Sequence, residues 1–176
     1  MVEFKMIRLS VIFNLFFVFS QGTLYDVEKY NYNDYDNDPK LRELIESQID
    51  VFKQVKPYYG VKVVSEIEKG PVTSKIIYSS MDDNFYLHLL NLKKENLISF
   101  LELSRYSEDE FWQFHSTSLI SNDTIYHVSF DKNGLHWEEN AELKTEKINT
   151  IYTFKNGLLN FVSSDTIHYK EKVKQL

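Results

Sequence analysis

Hydrophobic and polar residues follow two different periods along this chain, and the change between them predicts the fold. Between residues 38 and 57, apolar side chains recur every three or four positions, which is the spacing of one helix face. Asp38 suits the N-cap, Pro39 suits the first helical position, and Pro57 ends the pattern. The pattern predicts an amphipathic helix of about sixteen residues. Its apolar positions are Leu41, Leu44, Ile45, Ile49, Phe52 and Val55.

After Gly60, short runs of β-branched and aromatic residues alternate with polar turns, which is the pattern of consecutive strands. Residues 97–104 suit either a strand or a helical face, and the pattern leaves that choice open. Residues 107–114 could open a short helix, but we favour a strand there. The predicted turns are Gly70-Pro71, residues 81–84, residues 93–96, Asn133-Gly134 and Asn156-Gly157. An Asn-Gly pair between strand residues is the strongest short hairpin signal. We expect the first pair to join strand residues 124–130 directly to a returning strand at 135–137.

These elements predict an α+β fold that is mainly antiparallel β. One N-terminal amphipathic helix is followed by a β-meander of about eight strands, closed as a barrel or stacked as a sandwich. Few residues remain between the strands for parallel crossovers, so a doubly wound nucleotide-binding fold is not expected.

The first 22 residues have the form of a secretory signal peptide. Lys5 and Arg8 precede an apolar run at 9–19 that is too short to cross a bilayer, and the small residues Ser20 and Gly22 follow it. Cleavage after Ser20 or after Gly22 fits, and Met1 or Met6 could be the true start. The alternatives are an uncleaved membrane anchor or a buried N-terminal strand.

Three regions follow from this organisation. They are a signal peptide at 1–22, a flexible leader rich in Tyr, Asn and Asp at 23–38, and a single helix-plus-meander domain at 39–176. The expected location is outside the cell or in the periplasm or cell envelope, with no integral membrane segment after signal cleavage.

Composition narrows the chemistry further. The chain has 176 residues, no cysteine and a formal charge of −6. The absence of cysteine excludes disulfides, thiol nucleophiles and thiolate metal sites. The acidic balance and the scattered basic residues argue against nucleic acid as a partner.

Motifs for metal or hydrolytic chemistry are weak in this sequence. The alternating acids Asp34, Asp36 and Asp38 begin like a calcium loop, but Pro39 and Ile45 occupy the positions that need Gly and Glu, which rules out an EF-hand. His127 and His136 flank a predicted turn without a convincing third zinc ligand. We therefore predict no metal site and no cofactor.

Aromatic residues are the one unusual feature of the composition, with 13 Phe, 12 Tyr and 2 Trp. We single out Trp112, Phe114, Tyr126 and Trp137 as a candidate apolar or carbohydrate-stacking site. Packing in the core is the commoner role of such side chains in a β-rich chain.

The function expected from this sequence is that of an exported, non-enzymatic binding protein. It would hold a small apolar ligand in a calycin-like β-barrel. The first alternative is a secreted or cell-surface protein–protein interaction module. The second is a secreted hydrolase that uses His127, His136 and Glu138. A cavity in the interior would favour the ligand, and a solid core would favour the protein partner.

Overall fold

The computed structural model describes residues 22–30, 39–48, 59–81, 83–109, 111–134 and 142–172. A short 3-10 turn follows the first strand at Val27–Lys29, and one helix, α1, spans Pro39–Gln48. The strands are β1 (Thr23–Asp26), β2 (Tyr59–Lys69), β3 (Val72–Met81), β4 (Asn84–Lys93), β5 (Asn96–Glu108), β6 (Trp112–Ser121), β7 (Thr124–Asn133), β8 (Glu142–Lys155) and β9 (Leu158–Lys172).

The strands form one antiparallel sheet, as predicted. Strands β2 to β9 are neighbours in sequence order, and β1 is added beside β6. Among the described residues β2 and β9 do not pair, so the sheet stays open. The closed barrel that was one of the two expected architectures is therefore not formed.

The open sheet folds over on itself because its two halves share one hydrophobic core. Ile76 and Tyr78 of β3 and Leu87 of β4 belong to the same buried cluster as Ile125 of β7. Tyr152 and Leu159, from β8 and β9, pack against this cluster. Apolar side chains from both ends of the sheet thus remove each other from water, which is the main stabilising contribution to such a fold.

Helix α1 covers the face of strands β2 to β4 that points away from this shared core. Leu41 and Ile45 are buried against Val61, Ile77 and Leu90. Their spacing of four residues places both on one helix face. The remainder of the predicted helix, residues 49–57, lies outside the described residues.

Most predicted hairpins are present. Lys69 pairs with Val72 across Gly70-Pro71, and Lys155 pairs with Leu158 across Asn156-Gly157. Asn156 and Gly157 have φ of 55° and 83°, the left-handed conformation that a two-residue hairpin turn needs.

The turn predicted at Asn133-Gly134 is wrong. Strand β7 continues to Asn133, which pairs with Trp112 on one side and Lys144 on the other. The returning strand begins at Glu142 rather than at residue 135. The ladder on both sides of Asn133 therefore overrides the local turn preference of the Asn-Gly pair. Residues 135–141 lie outside the described residues.

The start of the predicted flexible leader is part of the sheet. Strand β5 pairs with β6 only at Arg105–Glu108, which lie opposite residues 113–116. Strand β1 pairs with the next four residues of β6, 117–120. Tyr25 and Val27 are buried there. Residues 31–38, which include Asp34 and Asp36, lie outside the described residues, as do residues 1–21 of the predicted signal peptide. In the part that the structure describes, no helix has the length and apolarity of a membrane span.

Candidate functional site

Three side chains with metal-ligating or proton-carrying groups meet beside the junction of β1 and β6. Asp26 ends β1, Glu28 lies in the 3-10 turn that follows, and His115 lies on β6. One ligand atom from each, a ring nitrogen and two carboxylate oxygens, lies within 4.8 Å of the others. His115 Nε2 is 3.2 Å from Asp26 Oδ1 and 3.8 Å from Glu28 Oε2.

The backbone holds this acid–histidine cluster in place. Asp26 pairs with Thr117 in the β1–β6 ladder, two positions from His115. The Val27 N–H donates to Ser104 Oγ at 2.8 Å, and the Val27 side chain is buried. Asp26 Oδ1 also accepts from the Glu28 N–H at 3.2 Å, as an N-cap does. The two carboxylates therefore sit on a tied-down turn.

A pocket of about 250 Å³ opens beside the cluster. Glu28 and His115 line it, together with Tyr106, Gln113, Phe130, Lys132 and Tyr169. The Tyr106 hydroxyl donates to Glu108, and the Tyr106 and His115 rings meet edge to face at 6.2 Å. Partial burial, followed by the hydrogen bond to Glu108, raises the pKa of Tyr106, so the hydroxyl stays a donor at neutral pH.

The predicted aromatic site is brought together only in part. Trp112 and Phe114 stack at 6.0 Å, and the Arg105 guanidinium lies 5.5 Å and 5.0 Å from their ring centres. Trp112 Nε1 donates to Asp131 at 2.7 Å. Tyr126 pairs with Leu119 and so lies on the opposite face of the β6–β7 ladder. Trp137 lies outside the described residues.

The arginine–aromatic stack continues into a buried pair of titratable groups. Arg105 also lies 5.4 Å from the Tyr86 ring, and Tyr86 stacks on His88 at 5.5 Å. His88 is paired across the ladder with Glu102. Burial lowers the pKa of His88 to about 3 and raises the pKa of Glu102 to about 6, with Arg105 opposing the second shift. The His88 ring is completely buried, which leaves it no access to a ligand.

The groups proposed for hydrolysis do not form a usable nucleophile in the described residues. His127 Nδ1 is 2.9 Å from Ser118 Oγ, but Ser118 is completely buried. The Ser118 hydroxyl donates to the Leu103 carbonyl at 2.5 Å. Burial lowers the pKa of His127, which keeps it neutral. His136 and Glu138 lie outside the described residues.

The apolar space between the two halves of the sheet is small. A cleft lined by Ile67, Ile76, Leu89, Ile120 and Phe154, among others, has a volume of about 90 Å³. Pockets for small ligands usually measure about 300–1,000 Å³. This cleft is therefore smaller than a typical pocket for a small ligand.

Strand β9 is the most exposed element of the sheet. Every residue from 160 to 170 is exposed, although the strand is 15 residues long. It pairs with β8 along one edge, and no described strand pairs with its other edge. Its exposed apolar side chains are Leu158, Phe161, Val162, Ile167 and Tyr169.

Comparison of the chain with known protein families, with curated proteins and with solved structures finds no match.

Sequence reasoning missed the acid–histidine cluster. Asp26-Val27-Glu28 is a usable signal, because two acids separated by one residue can present both carboxylates at a turn. His115 is 87 positions later than Glu28, and nothing in the local pattern connects them. Only the pairing of β1 with β6 brings them together.

Proposed function

We propose that this is a non-enzymatic binding protein that acts through protein–protein contact, and that its interface is the outer edge of β9. The partner is a second copy of the chain, whose β9 runs antiparallel to the first. The two open sheets would then join into one.

The exposure of β9 carries this proposal. An edge strand presents a row of backbone N–H and C=O groups that a second strand can pair with. Natural proteins protect such edges with short strands, prolines or charges, and β9 has no proline over its 15 residues. Between residues 163 and 169 its only carboxylate or ammonium group belongs to Asp165. The segment is therefore open to strand addition.

The small volume of the apolar cleft favours a protein partner over a small ligand held in the interior. A calycin-like carrier needs a closed barrel around a ligand-sized cavity. The sheet here is open, and its apolar cleft measures about 90 Å³. The exposed apolar surface lies instead on β9, where another protein can cover it.

One register of self-pairing both avoids opposed like charges and gives Asp165 a hydrogen-bond donor. The two-fold axis of such a pair is perpendicular to the sheet, so opposed side chains point to the same face. Odd-numbered residues therefore lie opposite odd-numbered residues, and even-numbered residues opposite even-numbered ones. An axis at Asp165 would oppose two Asp165 carboxylates, and an axis at His168 would oppose Asp165 and Glu171. An axis at Ile167 instead opposes Asp165 with Tyr169, whose hydroxyl can donate to the carboxylate.

Single cysteines test this register, because the chain has no cysteine of its own. Opposed strand residues have Cα atoms about 4.5–5.5 Å apart, within the span of a disulfide. We expect Ile167→Cys to form a disulfide-linked dimer on mild oxidation. It should do so at least about tenfold faster than an unpaired thiol, because opposed thiols have a high effective concentration.

The matched control is Ile67→Cys, since Ile67 and Ile167 are both 47% exposed and both lie on edge strands. Asp165→Cys and Tyr169→Cys should each cross-link slowly alone, because identical residues would be about 13 Å apart. A mixture of these two variants should cross-link quickly. Equal rates for Ile167→Cys and Ile67→Cys, measured on non-reducing gels, would overturn the proposal.

We also propose that the chain is exported, as the apolar run at 9–19 suggests. Gly22 supports cleavage after Ser20 rather than after Gly22. A Cβ on residue 22 would lie 2.7 Å from Leu119 Cδ1, so this glycine packs closely against β6. The intact mass of protein recovered from a secreting host should therefore correspond to a chain that starts at Gln21. A chain that retains Met1 would contradict export with cleavage.

A further inference from the structure

We propose that Asp26, Glu28 and His115 form a binding site for a divalent transition metal ion of the zinc type. None of the three ligands belongs to β9, although Tyr169 of β9 lines the adjoining pocket. It assigns a role to the acid–histidine cluster.

The ligand set selects the class of metal. One imidazole nitrogen and two carboxylate oxygens suit Zn²⁺ and its first-row neighbours. Calcium prefers six to eight oxygen ligands, and magnesium keeps several waters in an octahedron of oxygens. A histidine ligand therefore favours a transition metal over either of these ions.

The two separations measured from the histidine nitrogen are close to those around a tetrahedral ion. Zinc–nitrogen and zinc–oxygen bonds of about 2.0–2.2 Å place neighbouring ligand atoms about 3.4 Å apart. The observed separations from His115 Nε2 are 3.2 Å to Asp26 Oδ1 and 3.8 Å to Glu28 Oε2. Small side-chain adjustments suffice to reach bonding distance, because Glu28 is the more exposed of the two acids.

The protein also supplies the rigidity and the open position that a metal centre needs. The hydrogen bond from Val27 to Ser104 ties down the turn between the two carboxylates. The Glu28 N–H donates to Asp26 Oδ1 and orients that ligand, as partners behind the ligands do in known metal sites. The pocket of about 250 Å³ leaves room for a fourth ligand, and Lys132 in its lining favours an anionic one.

Calorimetric titration of the full chain with Zn²⁺ at neutral pH tests the proposal. We expect one equivalent to bind and the thermal midpoint to rise, because the metal would link β1 to β6 and bind the native state only. Glu28→Gln and His115→Ala should each weaken binding about a hundredfold, since the first replaces a carboxylate ligand with a neutral amide and the second removes the imidazole. Calcium should bind far more weakly than zinc.

His168→Ala is the matched control. His168 Nδ1 lies 3.4 Å from one carboxylate, that of Glu146, and the described residues offer this exposed acid–histidine pair no third ligand. This variant should keep wild-type zinc affinity. Glu28 is exposed, so Glu28→Gln should fold normally and keep the test valid if His115→Ala does not. Failure of the wild type to bind stoichiometric zinc, or unchanged affinity in Glu28→Gln and His115→Ala, would overturn the site.

Discussion

His88 lies in an environment that does not suit the chemistry of its side chain. Its ring is completely buried between Phe100, at 4.9 Å, and Tyr86, at 5.5 Å. Neither ring nitrogen has a hydrogen-bond partner among the described residues. A buried polar group without a partner costs about 1–3 kcal/mol. The aromatic stack thus forms at the expense of an unsatisfied imidazole.

We expect His88→Phe to stabilise the protein by about 1–2 kcal/mol at pH 7, because it keeps the stacked ring and removes the unsatisfied nitrogens. The free energy of unfolding in urea measures this change. His168→Phe is the control, since His168 is exposed and its replacement should leave stability nearly unchanged.

The same variant should also change the response to acid. The pKa of His88 is about 3 in the folded chain against an ordinary value of 6.5. Between pH 6.5 and pH 3 the His88 imidazole is therefore protonated in the unfolded chain and neutral in the folded chain. The free energy of unfolding falls as the pH falls through this range. The advantage of His88→Phe should grow by up to about 1.4 kcal/mol per pH unit over that window. An advantage that is constant with pH would contradict the assignment.

Glu102 opposes this trend within the same acidic range, between pH 4.5 and 6. Burial raises its pKa to about 6 in the folded chain from an ordinary 4.5. Its contribution to stability is complete below pH 4.5 and is lost as pH rises through 6. The two groups change the free energy of unfolding in opposite directions with pH. In the His88→Phe variant, the pH dependence that Glu102 contributes is therefore no longer masked by His88.

At the scale of single elements, the β8–β9 hairpin shows how a turn can also dock. Gly157 has a φ of +83° and is buried, and its carbonyl accepts from Ser99 Oγ at 2.6 Å. A Cβ at this position would overlap the Ile98 side chain and lie 3.1 Å from Val72 Cγ1. The glycine thus serves both the turn and its contact with β5.

We therefore expect Gly157→Ala to destabilise the chain by about 2 kcal/mol, the sum of backbone strain and crowding. Gly70→Ala is the control, because Gly70 has a φ of +61° with nothing within 4 Å of an added Cβ. It should cost only the strain, about 1 kcal/mol. Equal losses in thermal or urea unfolding would show that the docking contact of Gly157 is unimportant.

At the scale of the whole molecule, buried serines allow the sheet to fold over. Where β5 leaves β6, Ser104 Oγ donates to the Ser116 carbonyl at 2.6 Å, and Ser116 Oγ accepts from the Arg105 N–H at 2.9 Å. Hydroxyl groups thus replace ladder hydrogen bonds at the point where β1 takes over. Backbone groups that would otherwise be buried without a partner are satisfied.

Only part of the candidate sites could be predicted from the sequence. Trp112 and Phe114 are two positions apart on one strand, so alternation alone places them together. Tyr126 lies on the other face, because it pairs with Leu119 in the β6–β7 ladder. That placement depends on the register of the two strands, which the sequence does not show. The exposure of β9 cannot be predicted from its residues, because Phe161 and Ile167 are typical of a buried strand.

The sequence by itself determined strands β2 to β9, most of their turns and their order in an antiparallel meander, but not β1. These features depend on contacts between near neighbours, such as the alternation along each strand and the left-handed turn at Asn156-Gly157. Tertiary structure alone decided that the sheet stays open, that Asn133 continues a strand, and that Asp26 and Glu28 meet His115. Such long-range contacts depend on how whole strands pair and pack, and no local pattern in the chain encodes which of them forms.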